Sequence, residues 1–195
     1  MKEYFAKGKR GIVYISSLNG KKVLIKEFNP SASVNTIAHE AQMLQLVNKQ
    51  QIGPIFIKMQ DGALVREFID GEEIVDWIAE AGKSMIKKVL LHILDQCRTL
   101  DTMKINKLEM THPHKHILVR KSIPIFIDFD RAKFTQKPKN VTQVIQWFTG
   151  KELSTPLQAK GIHISREKML SLAKQYKGSY DAIAYRQMQE LIGNA

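Results

Sequence analysis

Gly8 and Gly11 bracket a turn between two strand-like segments. Without Cβ atoms, glycines so placed let backbone N–H groups approach phosphate oxygens; a tight hairpin accounts for the same spacing. Lys26 ends the apolar run Val23-Leu24-Ile25 one strand later. A lysine there can aim its ammonium at a phosphate or lie exposed on the strand. Glu40 interrupts an otherwise apolar helical segment, where it can pair with Lys26 or face solvent. Asp128 follows Ile125-Phe126-Ile127, and Asp130 lies two residues further on. A carboxylate at the end of a buried strand can hold Mg²⁺ beside a phosphate, or cap a helix or loop. His112, His114 and His116 alternate along one polar segment, and on an extended backbone they would share one side. That arrangement suggests zinc, but no cysteine or fourth ligand lies near.

The elements that position these groups follow from hydropathy and turn residues. Tyr4–Lys9, Gly11–Ser16 and Lys22–Glu27 read as strands, the last two joined by an Asn19-Gly20 hairpin turn. Val34, Ile37, Ala38, Ala41 and Leu44 recur at helical spacing until Gly53-Pro54. Ile55–Met59 and Ala63–Arg66 flank a second hairpin signal, Gln60-Asp61-Gly62, and Glu67–Gly71 reads as a linker. Helical spacing then dominates: Ile86, Val89, Leu90, Ile93, Leu94 and Cys97 form one stripe. Helical patterns recur at Val141–Phe148, Glu167–Tyr176 and Asp181–Ile192. Between them, Ile117–Val119 and Ile125–Ile127 suggest a small hairpin. Strands followed by helices predict an α+β fold.

Charge divides the chain in a similar way. Residues 1–82 carry ten basic and ten acidic side chains, 83–140 thirteen and five, and 141–195 seven and four, so the net +11 lies entirely beyond residue 82. Such a region suits nucleic acid, nucleotide phosphates or acidic proteins as partners, or simply a solvated surface. With 44% hydrophobic and 25% charged residues among 195, the composition is that of a globular chain with a sizeable core. The longest apolar stretch, Val89–Leu94, is far short of the about 20 residues a membrane helix needs. The charged N-terminus has no apolar core of a secretory signal, and the one cysteine excludes an internal disulfide framework. A cytoplasmic location, without membrane partners, is the expectation.

Taken in order, Gly-x-x-Gly-x-Val, Val23-Leu24-Ile25-Lys26, Glu40 and Asp128-Phe129 resemble the signature set of eukaryotic-like protein kinases over about residues 4–135. The resemblance implies a two-lobed fold, with a five-stranded N-lobe over 1–70 and a minimal helical C-lobe over 71–195. It implies ATP and Mg²⁺ as cofactors and phosphotransfer to a protein serine or threonine. Ala6 stands in place of the first loop glycine, and Gly8, Gly11 and Val13 supply the rest. Lys26 would contact the α/β-phosphates, Glu40 would pair with it, and Asp128 would hold the metal. Glu67-Phe68-Ile69-Asp70-Gly71 matches the hinge that binds adenine through its backbone, which involves Glu67 and Ile69.

The short length and the lack of an Ala-Pro-Glu element are similar to RIO kinases and to the small kinase subunit of the tRNA-threonylcarbamoylation complex. The segments Glu109–Val119 and Ile127–Ala132 look most like small predicted Ser/Thr kinases of archaea and some bacteria. Alignment on Ile117-Leu118-Val119 puts His116 at the metal-binding asparagine and Thr111 at the catalytic aspartate. A threonine cannot accept a proton as a carboxylate does. Glu109, His112 and His114 are the substitutes available as base, and Asp130 is the substitute metal oxygen. A different class is also compatible: a nucleotide-binding ATPase or pseudokinase associated with RNA or a ribonucleoprotein through the basic region.

Overall fold

In the computed structural model, which describes residues 2–195, the chain divides into two units. The first runs to Asp70 and includes Ile125–Ala132; the second comprises Gly71–Pro124 and Lys133–Ala195. Residues 125–132 therefore group with the first unit and not with the rest of 71–195. The protein is α+β, with a five-stranded antiparallel sheet and several helices.

The first unit holds β1 (Glu3–Lys7), β2 (Gly11–Leu18), β3 (Lys21–Phe28), α1 (Ile37–Asn48), β4 (Phe56–Gln60) and β5 (Ala63–Glu67), with strand order β1-β2-β3-β5-β4. Two hairpins turn where the sequence signals them. Asn19 and Gly20 have φ of 51° and 76°, and Asp61 and Gly62 have 50° and 76°. These are the paired positive angles of a two-residue turn. The register sets Val13 opposite Lys26, and Lys26 opposite Leu64. Strand β5, between β3 and β4, is buried over Ala63-Leu64-Val65-Arg66, and α1 packs Ile37 and Ala41 against Leu64. The helix starts at Ile37, later than the apolar spacing from Val34 suggests; Val34 is exposed, and Asn35 Oδ1 accepts from Ile37 N.

The second unit continues with β6 (Glu72–Glu73), α2 (Ile74–Glu80), α3 (Lys83–Thr102), β7 (Ile105–Asn106), β8 (Ile117–Arg120), β9 (Ile123–Phe126), β10 (Lys133–Phe134), α4 (Asn140–Phe148), α5 (Lys151–Ala159), α6 (Arg166–Ser179) and α7 (Ala182–Gly193). Along β9 the chain passes back into the first unit. The stripe of α3 from Ile86 to Cys97 is buried, as its spacing requires. Asp101, near the end of α3, is the polar centre of this unit. Its carboxylate accepts from Asn140 N (3.0 Å), Asn140 Nδ2 (2.8 Å), Val141 N (3.3 Å) and the Tyr176 hydroxyl (3.1 Å), tying α3, α4 and α6 together. Among the described residues, no helix is long and apolar enough to cross a membrane.

The histidine segment departs from its expected form. His114–His116 is a single 3₁₀ turn, not an extended strand. The three side chains do not share one partner. His112 Nδ1 and His114 Nδ1 lie 3.3 and 2.8 Å from the two oxygens of Glu152, and His116 Nε2 lies 3.4 Å from Glu109. Among the described residues, no group of three or more His, Cys, Asp or Glu is placed to hold a metal ion.

Candidate functional site

The first unit gathers the chemistry around one buried ammonium. Lys26 Nζ lies 2.6 Å from Glu40 Oε2 and 3.1 Å from Asp128 Oδ1. Strand β3 delivers Lys26 from between its two neighbours, and α1 delivers Glu40 from its first turn. Lys26 is 8% and Glu40 2% exposed, so the pair is cut off from bulk water, whereas the Asp128 side chain is 34% exposed. Burial works against the Lys26 ammonium, but Glu40 and Asp128 outweigh it and raise its pKa. Burial likewise raises the pKa of Glu40 against the pull of Lys26.

A raised lysine pKa keeps the ammonium charged up to and beyond its ordinary value of 10.5, and its contribution to stability is lost only as pH rises through the folded value. Lys26 should therefore resist amine-reactive labelling from neutral pH to about pH 10, while exposed lysines react progressively; this is readable by peptide mass spectrometry. Labelling of Lys26 in step with exposed lysines would contradict the pairing.

Asp128 has φ of 63°, a left-handed backbone that an L residue adopts rarely. The conformation is held from both sides. His39 Nε2 contacts Ala132 O at 2.6 Å, fixing α1 to the end of the loop. Phe129 is 1% exposed and packs against Gly53, where an added Cβ would stand 3.0 Å from its ring and 3.0 Å from Leu44. Asp130, 7% exposed, pairs with Arg10 at 3.1 Å. Arg10 belongs to the glycine turn, so turn and acidic loop are bridged directly.

The turn itself is closed by Gly8 N donating to Gly11 O at 2.8 Å. The Asn29 amide donates to Gly8 O (3.0 Å) and Lys9 O (3.3 Å), and Asn29 N donates to Arg10 O (3.0 Å). Gly11 lies against the Lys26 stem: a Cβ there would stand 2.8 Å from Cε and 3.0 Å from Cγ. Gly11→Ala should therefore push Lys26 off Glu40 and raise its labelling rate above wild type in the same assay, with the fold retained. An unchanged rate would show that the stem adapts without loss of the pair.

Arg66 adds a second buried cation. It is 7% exposed, donates to Glu67 O at 3.1 Å, and has its pKa lowered by burial against the attraction of Glu40, Asp128 and Glu67. It offsets negative charge at the back of the site. Glu67 Oε2 accepts from Ile55 N at 3.1 Å, joining β4 and β5, and Ile69 is buried.

Of the residues singled out by the sequence, Gly8, Gly11, Val13, Lys26, Glu40, Glu67, Ile69, Asp128 and Asp130 belong to the first unit. Glu109, His112, His114 and His116 belong to the second. There Glu109 has φ of 59°, His112 is largely exposed, and His114 is partly exposed beside Glu152. Arg10, Asn29, His39 and Arg66 are the side chains that sequence reasoning missed. Only Arg66 left a trace in the sequence, as a charge at the end of an apolar strand.

The fold and site define an α+β protein whose antiparallel sheet and helix enclose a Lys–Glu pair beside a loop aspartate. No family model matches the chain. It is 30% identical over 114 residues to Uncharacterized protein MJ1211 of Methanocaldococcus jannaschii, a match covering 57% of this chain and 97% of that protein. The chain belongs to the family of that protein.

Proposed function

We propose that the chain is an ATP-binding, kinase-like phosphotransferase acting on protein serine or threonine, with the first unit as a nucleotide-binding N-lobe and the second as a minimal helical C-lobe. The observation that carries this reading is the sharing of Lys26 Nζ between Glu40 and Asp128. A buried lysine fixed by one carboxylate and touching a more exposed one is suited to grip phosphate oxygens beside a metal. Gly8 and Gly11 offer a turn close to that ammonium, and Glu67–Ile69 offers backbone groups for adenine.

The donor set fits Mg²⁺. It takes hard oxygens, through one or two carboxylates plus phosphates, and Asp128 is a carboxylate within reach of solvent. Asp128 is the principal ligand in this reading. Asp130 joins it through the oxygen that Arg10 does not hold, and His116 stands at the position of the second ligand in the kinase pattern. When bound, the ion would neutralise phosphate charge. Lys26 holds and orients the phosphates, Glu40 holds Lys26, and Glu109, His112 or His114 takes the acceptor proton.

The second reading is an ATPase or pseudokinase associated with RNA. It is favoured by Thr111 at the position of the usual base, and by the pairing of His112 and His114 with Glu152 and of His116 with Glu109. Incubation with γ-labelled ATP and Mg²⁺, following both phosphoprotein and free phosphate, separates the two. Label on serine or threonine supports the first reading; free phosphate alone, or bound ATP without turnover, supports the second. Neither binding nor turnover contradicts both.

A further inference from the structure

The glycine turn keeps its shape without the side chain of Arg10. Gly8 N donates to Gly11 O, and Asn29, 4% exposed, holds the turn's backbone at Gly8 O, Lys9 O and Arg10 O. Asn29 is itself fixed, since its Oδ1 accepts from Ser31 N at 3.1 Å. The main chain therefore sets where the turn sits, and the Arg10 side chain can change partners without moving it.

Arg10 reaches the acidic loop through one contact, Nη1 to Asp130 Oδ2 at 3.1 Å, and its guanidinium has no other partner among the described residues. A guanidinium carries several donors in a planar fork that matches carboxylate and phosphate oxygens in pairs. Here only one of them is used. The Arg10 side chain is 31% exposed and that of Asp130 only 7%, so the cation is the open member of the pair.

The same loop holds a second cation in the same way. Lys26 Nζ lies 3.1 Å from Asp128 Oδ1, so two carboxylates two residues apart each carry a cation from a different element, β3 and the glycine turn. The two cations differ in one respect. Lys26 is clamped by Glu40 at 2.6 Å, whereas Arg10 has Asp130 alone and is the more easily transferred.

We propose that Arg10 is a phosphate ligand held in reserve by Asp130, and that the site accordingly takes a nucleoside polyphosphate, with Lys26 on one phosphate group and Arg10 on another further along the chain. The proposal rests on the reading of the first unit as a nucleotide site and adds to it the class of nucleotide. Arg10 exchanges a single contact with a carboxylate for a phosphate group that its fork can grip through two parallel bonds. Asp130, which offers the metal its other oxygen, is not left as an uncompensated buried charge when Arg10 leaves. A nucleoside monophosphate has one phosphate group, which Lys26 alone occupies.

Two measurements test this. In calorimetric titrations with ATP and Mg²⁺, Arg10→Ala should weaken binding about tenfold, the low end for a charge-assisted hydrogen bond because Arg10 is partly exposed. Lys9→Ala removes the same charge from the next position on the turn and should stay within about twofold, as exposed charges do. The second readout is modification of Arg10 by butanedione, followed by peptide mass spectrometry against exposed Arg186 on α7. Asp130→Asn releases Arg10 and should make it react several times faster than in wild type. ATP should slow that reaction in the variant and in wild type alike, whereas AMP at the same concentration should not. If Asp130→Asn fails to fold, protection of wild-type Arg10 by ATP but not by AMP carries the same expectation. Binding of ATP with equal strength by wild type and Arg10→Ala would overturn the proposal and leave the nucleotide reading standing. An Arg10 rate indifferent to bound ATP, or protection by AMP equal to that by ATP, would do the same. No binding of ATP to the folded wild type would overturn both.

Discussion

Lys26→Ala is expected to lower Mg²⁺-dependent ATP turnover by about 10²-fold or more, the usual loss when a preorganised charge on a reacting group is removed. The variant also leaves Glu40, 2% exposed, without its cation. Breaking one partner out of a buried pair costs about 3–5 kcal/mol of stability. Loss of turnover could then arise from partial unfolding. The double variant Lys26→Met/Glu40→Gln resolves this by removing both charges and keeping an apolar stem. It should recover most of the stability in a thermal melt and none of the turnover. Recovery of turnover along with stability would make the pair a structural feature and remove Lys26 from the chemistry. Asp128→Asn keeps the shape of the loop but weakens a metal ligand, so it should reduce turnover at saturating ATP and raise the Mg²⁺ concentration required.

The largest effect on folding is expected at Asp101. Asp101→Ala leaves four donors unmet, namely Asn140 N, Asn140 Nδ2, Val141 N and the Tyr176 hydroxyl, inside a core that joins α3, α4 and α6. Unmet buried donors cost about 1–3 kcal/mol each and do not add fully. A loss of about 3–5 kcal/mol follows for the second unit, comparable to breaking a buried ionic network. Both tryptophans, Trp77 and Trp147, lie in this unit, so urea unfolding followed by tryptophan fluorescence reads it selectively. A shift below 1 kcal/mol would mean that water or rearrangement replaces the network.

Burial raises the pKa of Asp101 despite its hydrogen bonds. Its contribution is therefore greatest below its ordinary 3.8 and declines as pH rises through the folded value. Asp101→Asn, which stays neutral, should close part of its stability gap to wild type as pH rises across that window.

The parts of the fold that local chemistry dictates were legible in the sequence. Asn19-Gly20 and Asp61-Gly62 turn because those residues tolerate positive φ. The α3 stripe is buried because its period matches a helix. Lys121 and Ser122 also take φ of 51° and 60°, yet nothing in their types signals it; the flanking strands impose the turn. Helices α2 and α5 escaped notice because one is only 7 residues long and the other contains Pro156. The pairing of Lys26 with Glu40 could be read from two charges, each set in an apolar segment. The pairing of Arg10 with Asp130 spans 120 positions and follows no period, so only the folded chain brings it out. Alternate spacing puts side chains on one side of a strand, but His114–His116 form a 3₁₀ turn, where that spacing no longer sets their direction.

Isothermal titration of the wild-type chain with ATP in Mg²⁺ tests the proposed nucleotide site most directly. One site per chain is expected, competed by ADP, weakened when Mg²⁺ is chelated, and lost in Lys26→Met/Glu40→Gln while that variant remains folded. Absence of binding to the folded wild type at millimolar ATP, or binding of equal strength in the double variant, would contradict it.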